Sequence, residues 1–209
     1  MIQDKNLVTL KWKMPEKITG IPRRFNVNIT HLKTLYHVPE ECHFTEDQIT
    51  VVVNETQYST INLNPYSEYE FNVCAENEVG KSNGSESKIF QTLPSSPSPP
   101  RNLSIEYAPL DIGDLVTNVS GKVSWFPPCF SNGNITGYKI KFSGTKENHE
   151  NHDFSKKIFS NKNSSTISDL LLDYNYKIQL AAFGVGLQGE FTVINNKTPS
   201  GSKTTSLIH

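Results

Sequence analysis

The sequence predicts an all-β chain made of two successive sandwich domains, and three observations carry that expectation. From Tyr69 to Ala75 every second residue is apolar or small (Tyr69, Phe71, Val73, Ala75), with mostly polar residues between. A period of two marks a strand with one buried and one wet face. The alternation returns at Tyr176, Ile178, Leu180 and Ala182, so the chain overlays on itself at about 110 residues, the size of one sandwich rather than of a solenoid unit. No long segment carries helical periodicity.

Composition narrows the function. The chain has 209 residues, 20 basic and 21 acidic, a net charge of −1 and a mean hydropathy of −0.46. That balance gives no electrostatic footprint for nucleic acid or for an anionic membrane. No window approaches 18 uncharged apolar residues, so this segment is not expected to insert into a bilayer. Met1-Ile2-Gln3-Asp4-Lys5 has no apolar stretch of the kind that opens a secretory leader. Yet acceptor sequons occur at Asn28, Asn54, Asn83, Asn102, Asn118, Asn134, Asn163 and Asn196, about twice the number expected by chance. Their density points to a secreted or cell-surface compartment. The two observations are reconciled if the chain is a piece of a longer ectodomain and Met1 is not the native start. The expected location is then extracellular, in a single-pass membrane protein whose leader and span lie outside this segment.

The first half supplies its strands in order. Val8-x-Leu10-x-Trp12 reads as one strand and Phe25-x-Val27-x-Ile29 as the next, with Trp12 as the core aromatic. Ile49 to Tyr58 supplies the strand or strands before Leu63-Asn64-Pro65 and the strand of Tyr69. Only eleven residues precede Trp12, so the first strand of this domain is expected to be missing, leaving an open edge and a less stable domain. Pro94-Ser-Ser-Pro-Ser-Pro-Pro100 reads as the joint, since prolines donate no ladder bonds and favour extended geometry. The expected boundaries are 1–94 for the first domain, 95–100 for a Pro/Ser linker, 101–198 for the second domain and 199–209 for a disordered tail.

In the second half, Asn102 to Ile105 opens the domain and 108–120 is a long loop. Lys122-Val123-Ser124-Trp125 is the tryptophan strand, ended by Phe126-Pro127-Pro128. Asn132-Gly133-Asn134 turns into a strand through Tyr138, Ile140 and Phe142. Trp12 and Trp125 occupy matching positions, each followed thirteen residues on by an aromatic, Phe25 or Tyr138.

Trp125-x-Pro127-Pro128, Asn132-Gly133-x-Ile135-Thr136-Gly137-Tyr138, the leucine six residues before Tyr69 and Tyr176, and Ala75-x-Asn77-x-x-Gly80-x-Ser82 together resemble fibronectin type III domains over residues 7–198. Leu172, where the family usually has proline, and Gly184 to Gly189, which lack the Asn and Ser of the first turn, depart from it. The resemblance implies two immunoglobulin-like sandwiches with structural cores around Trp12, Tyr69, Trp125 and Tyr176, and with each corner tyrosine's hydroxyl bonded back to the backbone. It also implies that Cys74 faces outward from the sheet that holds the strands of Phe25 and Tyr69, beside the segment that carries Cys42. A Cys42–Cys74 bridge is therefore a candidate, leaving Cys129 as a free thiol or bonded outside the chain.

No set of residues in the sequence matches a catalytic or cofactor motif, so neither an enzyme activity nor a cofactor is expected. His149, His152 and Asp153 could surround a divalent ion if their loop folded back, but the segment reads better as a solvated loop, and no metal is assigned. Arg23-Arg24 beside Phe25 could be a partner patch. The plainer reading is an outer strand face with Phe25 in the core. Arrays with these motifs are similar to the ectodomains of receptor-type tyrosine phosphatases. The expected function is non-catalytic ligand recognition, adhesion or spacing, with an extracellular protein or cell-surface partner met by the loops that follow the tryptophan strands and by those that follow the strands of Tyr69 and Tyr176. The alternatives are a receptor tyrosine kinase or neural adhesion ectodomain, or a structural array in an intracellular or secreted modular protein.

Overall fold

The computed structural model describes residues 2–4, 7–16, 20–43, 48–108, 118–158 and 162–200, the first three as backbone alone. Residues 201–209 of the expected 199–209 tail and most of the 108–120 loop lie outside these residues. The chain divides into two compact units, Met1–Ser95 and Ser96–His209. Every named element is a β-strand, and no described helix is long and apolar enough to cross a membrane.

The first unit holds β1 (Ile2–Asp4), β2 (Leu7–Lys11), β3 (Arg24–Thr34), β4 (Gln48–Val53), β5 (Gln57–Thr60), β6 (Ser67–Glu76) and β7 (Lys88–Gln91). They form two antiparallel sheets, ordered β1-β2-β5 and β4-β3-β6-β7. The second unit holds β8 (Arg101–Tyr107), β9 (Asn118–Phe126), β10 (Ile135–Thr145), β11 (His152–Ile158), β12 (Ser164–Leu171), β13 (Asn175–Gly184), β14 (Leu187–Gln188) and β15 (Thr192–Lys197). Its sheets run β8-β9-β12 and β11-β10-β13, with β14 and β15 both pairing with β13.

Alternation decides what each core contains. In the first unit Val8 and Leu10 meet Phe25, Val27, Ile29, Tyr69, Val73 and Phe90. In the second, Trp125 and Val123 meet Tyr138, Ile140, Phe142, Tyr176, Ile178 and Leu180. The matched aromatics pack edge-on in both, Trp12 to Phe25 at 5.6 Å and Trp125 to Tyr138 at 5.0 Å. Trp12 is only half-buried, whereas Trp125 is 2% exposed.

The corner is built alike in both units. The N–H of Asn64 donates to Tyr69 Oη (2.7 Å) and that of Leu171 to Tyr176 Oη (3.1 Å). Three residues before each tyrosine the chain takes a left-handed conformation, at Tyr66 (φ 46°) and Asp173 (φ 63°). A buried threonine closes each corner. Thr92 Oγ1 accepts from Ser67 N–H (2.9 Å) and donates to Asn64 O (2.7 Å). Thr198 Oγ1 accepts from Tyr174 N–H (2.9 Å) and donates to Leu171 O (2.7 Å). Leu172, the departure from proline, is simply a core residue, 8% exposed.

Two expectations change. The first strand of the first domain is not missing. β1 pairs with β2 (Ile2↔Thr9, Gln3↔Val8, Asp4↔Leu7), where β8 pairs with β9 in the second unit. It is a stub of three residues against seven. Three residues are too short a run for an alternation to show, so no sequence pattern announces it. Most of the proline segment, moreover, packs as the lead-in to β8. Ser98 N–H donates to Phe130 O (2.8 Å), Phe130 N–H to Ser98 Oγ (3.1 Å) and Asn132 Nδ2 to Ser96 O (2.8 Å). Pro97 and Pro100 are buried.

Candidate recognition surface

The loops joining β2 to β3 and β6 to β7 meet at one end of the first unit, around a cleft of about 350 Å³ lined by Pro15, Pro22, Asn77, Val79, Lys81 and Ser82. The Asn77-x-x-Gly80-x-Ser82 motif explains how the second loop keeps its shape. Asn77 Oδ1 accepts from the N–H groups of Val79 (2.9 Å) and Gly80 (3.2 Å), an Asx turn. Ser82 N–H donates to Ala75 O (2.8 Å), and Ala75 N–H to Ser82 Oγ (2.9 Å). Gly20 (φ 90°) brings the other loop so close that a Cβ there would stand 2.9 Å from Asn77 Nδ2. The result is a stiff frame presenting two isolated apolar tips, Val79 at 90% and Ile21 at 85% exposure. Exposed apolar side chains on rigid loops are suited to docking.

Charges brace the same frame. Arg24 Nη2 meets Glu76 Oε1 at 2.5 Å, Asn26 Nδ2 donates to Glu76 Oε2 at 2.8 Å, and Lys81 Nζ lies 3.9 Å from it. Arg23 pairs with Glu78, and Phe25 is in the core. Arg23 and Arg24 thus support the loop rather than stand free. Hydrogen bonds from Arg24, then from Asn26, hold the Glu76 carboxyl below its ordinary value of 4.5. A carboxyl depressed in the folded state stabilises the fold above its unfolded value and loses that contribution as pH falls through the folded one. Opening of residues 77–82, read from amide exchange after correction for the pH dependence of intrinsic exchange, is therefore expected to rise as pH drops below about 4.5. In Glu76→Gln the acid-dependent part of that rise should vanish. Equal pH profiles in the two proteins would reject the brace.

The cysteine expectation needs correction. Cys42 and Cys129 are in the disulfide form and Cys74 is the free thiol, so the Cys42–Cys74 bridge is not formed. Cys74 does face outward as read, but it stands opposite Asn26 on β3, with Asn72 and Glu76 on its own strand and face. Cys42 lies in the β3–β4 connection and is buried (8% exposed).

His149, His152 and Asp153 do not converge. His152 Nδ1 shares a 2.6 Å hydrogen bond with Tyr176 Oη, and His149 Nδ1 bonds Glu147 O at 2.8 Å. Asp153 follows His152 along β11 and so points to the other face.

Six sequon asparagines are exposed: Asn54, Asn83, Asn102, Asn118, Asn134 and Asn163. Two are half-buried and engaged. Asn28 Nδ2 donates to Asn72 Oδ1 (2.9 Å), and Asn196 Oδ1 accepts from Tyr107 Oη (2.9 Å). Sequence reasoning missed Thr92 and Thr198, although each follows its corner tyrosine by a near-equal interval, 23 and 22 residues.

The sequence profile of the fibronectin type III domain matches residues 2–92 and 98–194. Among curated proteins, the chain is 29% identical to phosphatidylinositol phosphatase PTPRQ of Rattus norvegicus over 84% of its length. It is 32% identical to receptor-type tyrosine-protein phosphatase F of Danio rerio over 71%, and 30% identical to protein sidekick-1 of Mus musculus over 86%. It spans only 7%, 7% and 8% of those relatives.

Proposed function

Because the chain belongs to the fibronectin type III family, with one domain in each half, we propose that it is a non-catalytic recognition and spacing segment from the extracellular part of a cell-surface receptor of the receptor tyrosine phosphatase kind. The observation that carries this reading is the pair of family domains shared with receptor-type phosphatases. Domains of this family are non-catalytic, so any phosphatase activity would belong to a part of the parent protein outside this chain. The eight sequons support an extracellular setting, and the braced loops around Val79 and Ile21 supply a surface for a protein ligand on another cell or in the matrix.

Binding of the secreted chain to intact cells tests it. The double variant Ile21→Asp/Val79→Asp buries two charges in any docked interface, and its saturable binding should fall by tenfold or more, as expected for an anchor worth about 2 kcal/mol. Binding equal to that of the parent chain would remove these loops from recognition. Absence of saturable binding by the parent chain to any cell type would leave spacing alone.

A further inference from the structure

The outer face of the β11-β10-β13-β15 sheet carries five lysines and one carboxylate. Register places them. Tyr138, Ile140 and Phe142 on β10 point into the core, so Lys139, Lys141 and Ser143 point out. Lys139 stands opposite Lys157, Lys141 opposite Ser155 and Gln179, and Ser143 opposite Asp153 and Lys177. Lys197 stands opposite Asn175 on the same face. Lysines directly across a ladder repel one another, and at Lys139 and Lys157 nothing on the face offsets that cost. Among the described residues, none of the five lysines has a carboxylate within ion-pair distance.

The corresponding face of the first unit behaves otherwise. There Arg24 is paired with Glu76, and Lys33 with Glu68 at 2.9 Å. A sequon asparagine, Asn28, also sits in the middle of that face. No sequon asparagine lies among the outward residues of β10, β11, β13 and β15, so attached glycan would not originate on the lysine face. Ala181 is fully buried on this side, and the Lys141 ammonium lies over the face of the Phe191 ring, 4.8 Å from its centre.

We propose that this face binds a linear sulfated polysaccharide through Lys139, Lys141, Lys157, Lys177 and Lys197. Protein–protein interfaces are depleted in lysine and favour arginine and aromatic anchors. A lysine-only array spread along adjacent strands instead matches a flexible chain of anions, which gains affinity by releasing counterions. The site is separate from the loop surface of the first domain and does not depend on it.

Heparin is the probe, with affinity measured by titration of the whole chain in 0.15 M NaCl and at two higher salt concentrations. The triple variant Lys139→Gln/Lys141→Gln/Lys157→Gln should bind roughly tenfold or more weakly, with a shallower dependence on salt. A control triple with the same loss of charge elsewhere, Lys11→Gln/Lys88→Gln/Lys122→Gln, should stay within about twofold of the parent by the same logic. Equal weakening in the two triples, or no binding of heparin by the parent, overturns the proposal. Displacement of heparin by polyglutamate of equal charge and at equal concentration would overturn it too, in favour of an acidic protein partner.

Discussion

Trp125→Ala is expected to destabilise the second domain by about 3–5 kcal/mol. Its indole is 2% exposed and meets Tyr138 edge-on at 5.0 Å. It also belongs to a cluster of fifteen buried residues, so removing it empties the middle of a close-packed core that can only partly collapse. Trp12→Ala should cost less, on the order of 1–2 kcal/mol, because Trp12 packs only partly buried at the edge of a cluster of eight. The two domains need not unfold together, so each must be followed by its own probe. Methyl resonances of Ile178 and Ile29 serve for the second and first domains in a urea titration. Equal losses from the two substitutions, or a loss below about 1 kcal/mol for Trp125→Ala, would show that the matched tryptophans do not differ in this way.

The contrast between the two tryptophans also marks the reach of sequence reasoning. Periodicity located β6 and β13 and assigned their inward faces, because a half-buried strand writes its burial into every second residue. It matched Trp12 and Phe25 with Trp125 and Tyr138 by spacing, but did not show that each pair packs edge-on. It could not distinguish a fully buried Trp125 from a half-buried Trp12, since the surrounding shell comes from distant residues. Cys74 was oriented correctly, yet it is the free thiol and not the partner of Cys42. Orientation is local, whereas pairing depends on where the segment around Cys42 folds. The lysine face was invisible for a related reason. Lys139, Lys157 and Lys177 are far apart in sequence and become neighbours only through the register of three strands. The β1 stub shows the opposite limit, a paired strand of three residues, too short to carry a pattern to read.

Thr198→Val should lower the stability of the second domain by roughly 2–5 kcal/mol, although it changes one hydroxyl to a methyl. Thr198 is 3% exposed, and its hydroxyl both accepts from Tyr174 N–H and donates to Leu171 O. Valine fills the same volume and leaves Tyr174 N–H, in a buried bond, and Leu171 O, in a part-buried one, without that partner, at about 1–3 kcal/mol for each. Thr92→Val does the same to Ser67 N–H and Asn64 O. In the first domain, with its smaller core and its short β1, a loss of that size consumes a larger share of the stability. Serine at either site keeps the hydroxyl and should cost only about 1 kcal/mol for the lost methyl. Thr198 is also the acceptor residue of the Asn196 sequon, whereas Thr92 belongs to none. Comparing the two valine variants with and without glycan therefore separates the hydrogen-bond effect from loss of a sugar. A loss at Thr198 that disappears in unglycosylated protein, or a serine variant as unstable as the valine one, would mean that the hydroxyl is not what closes the corner.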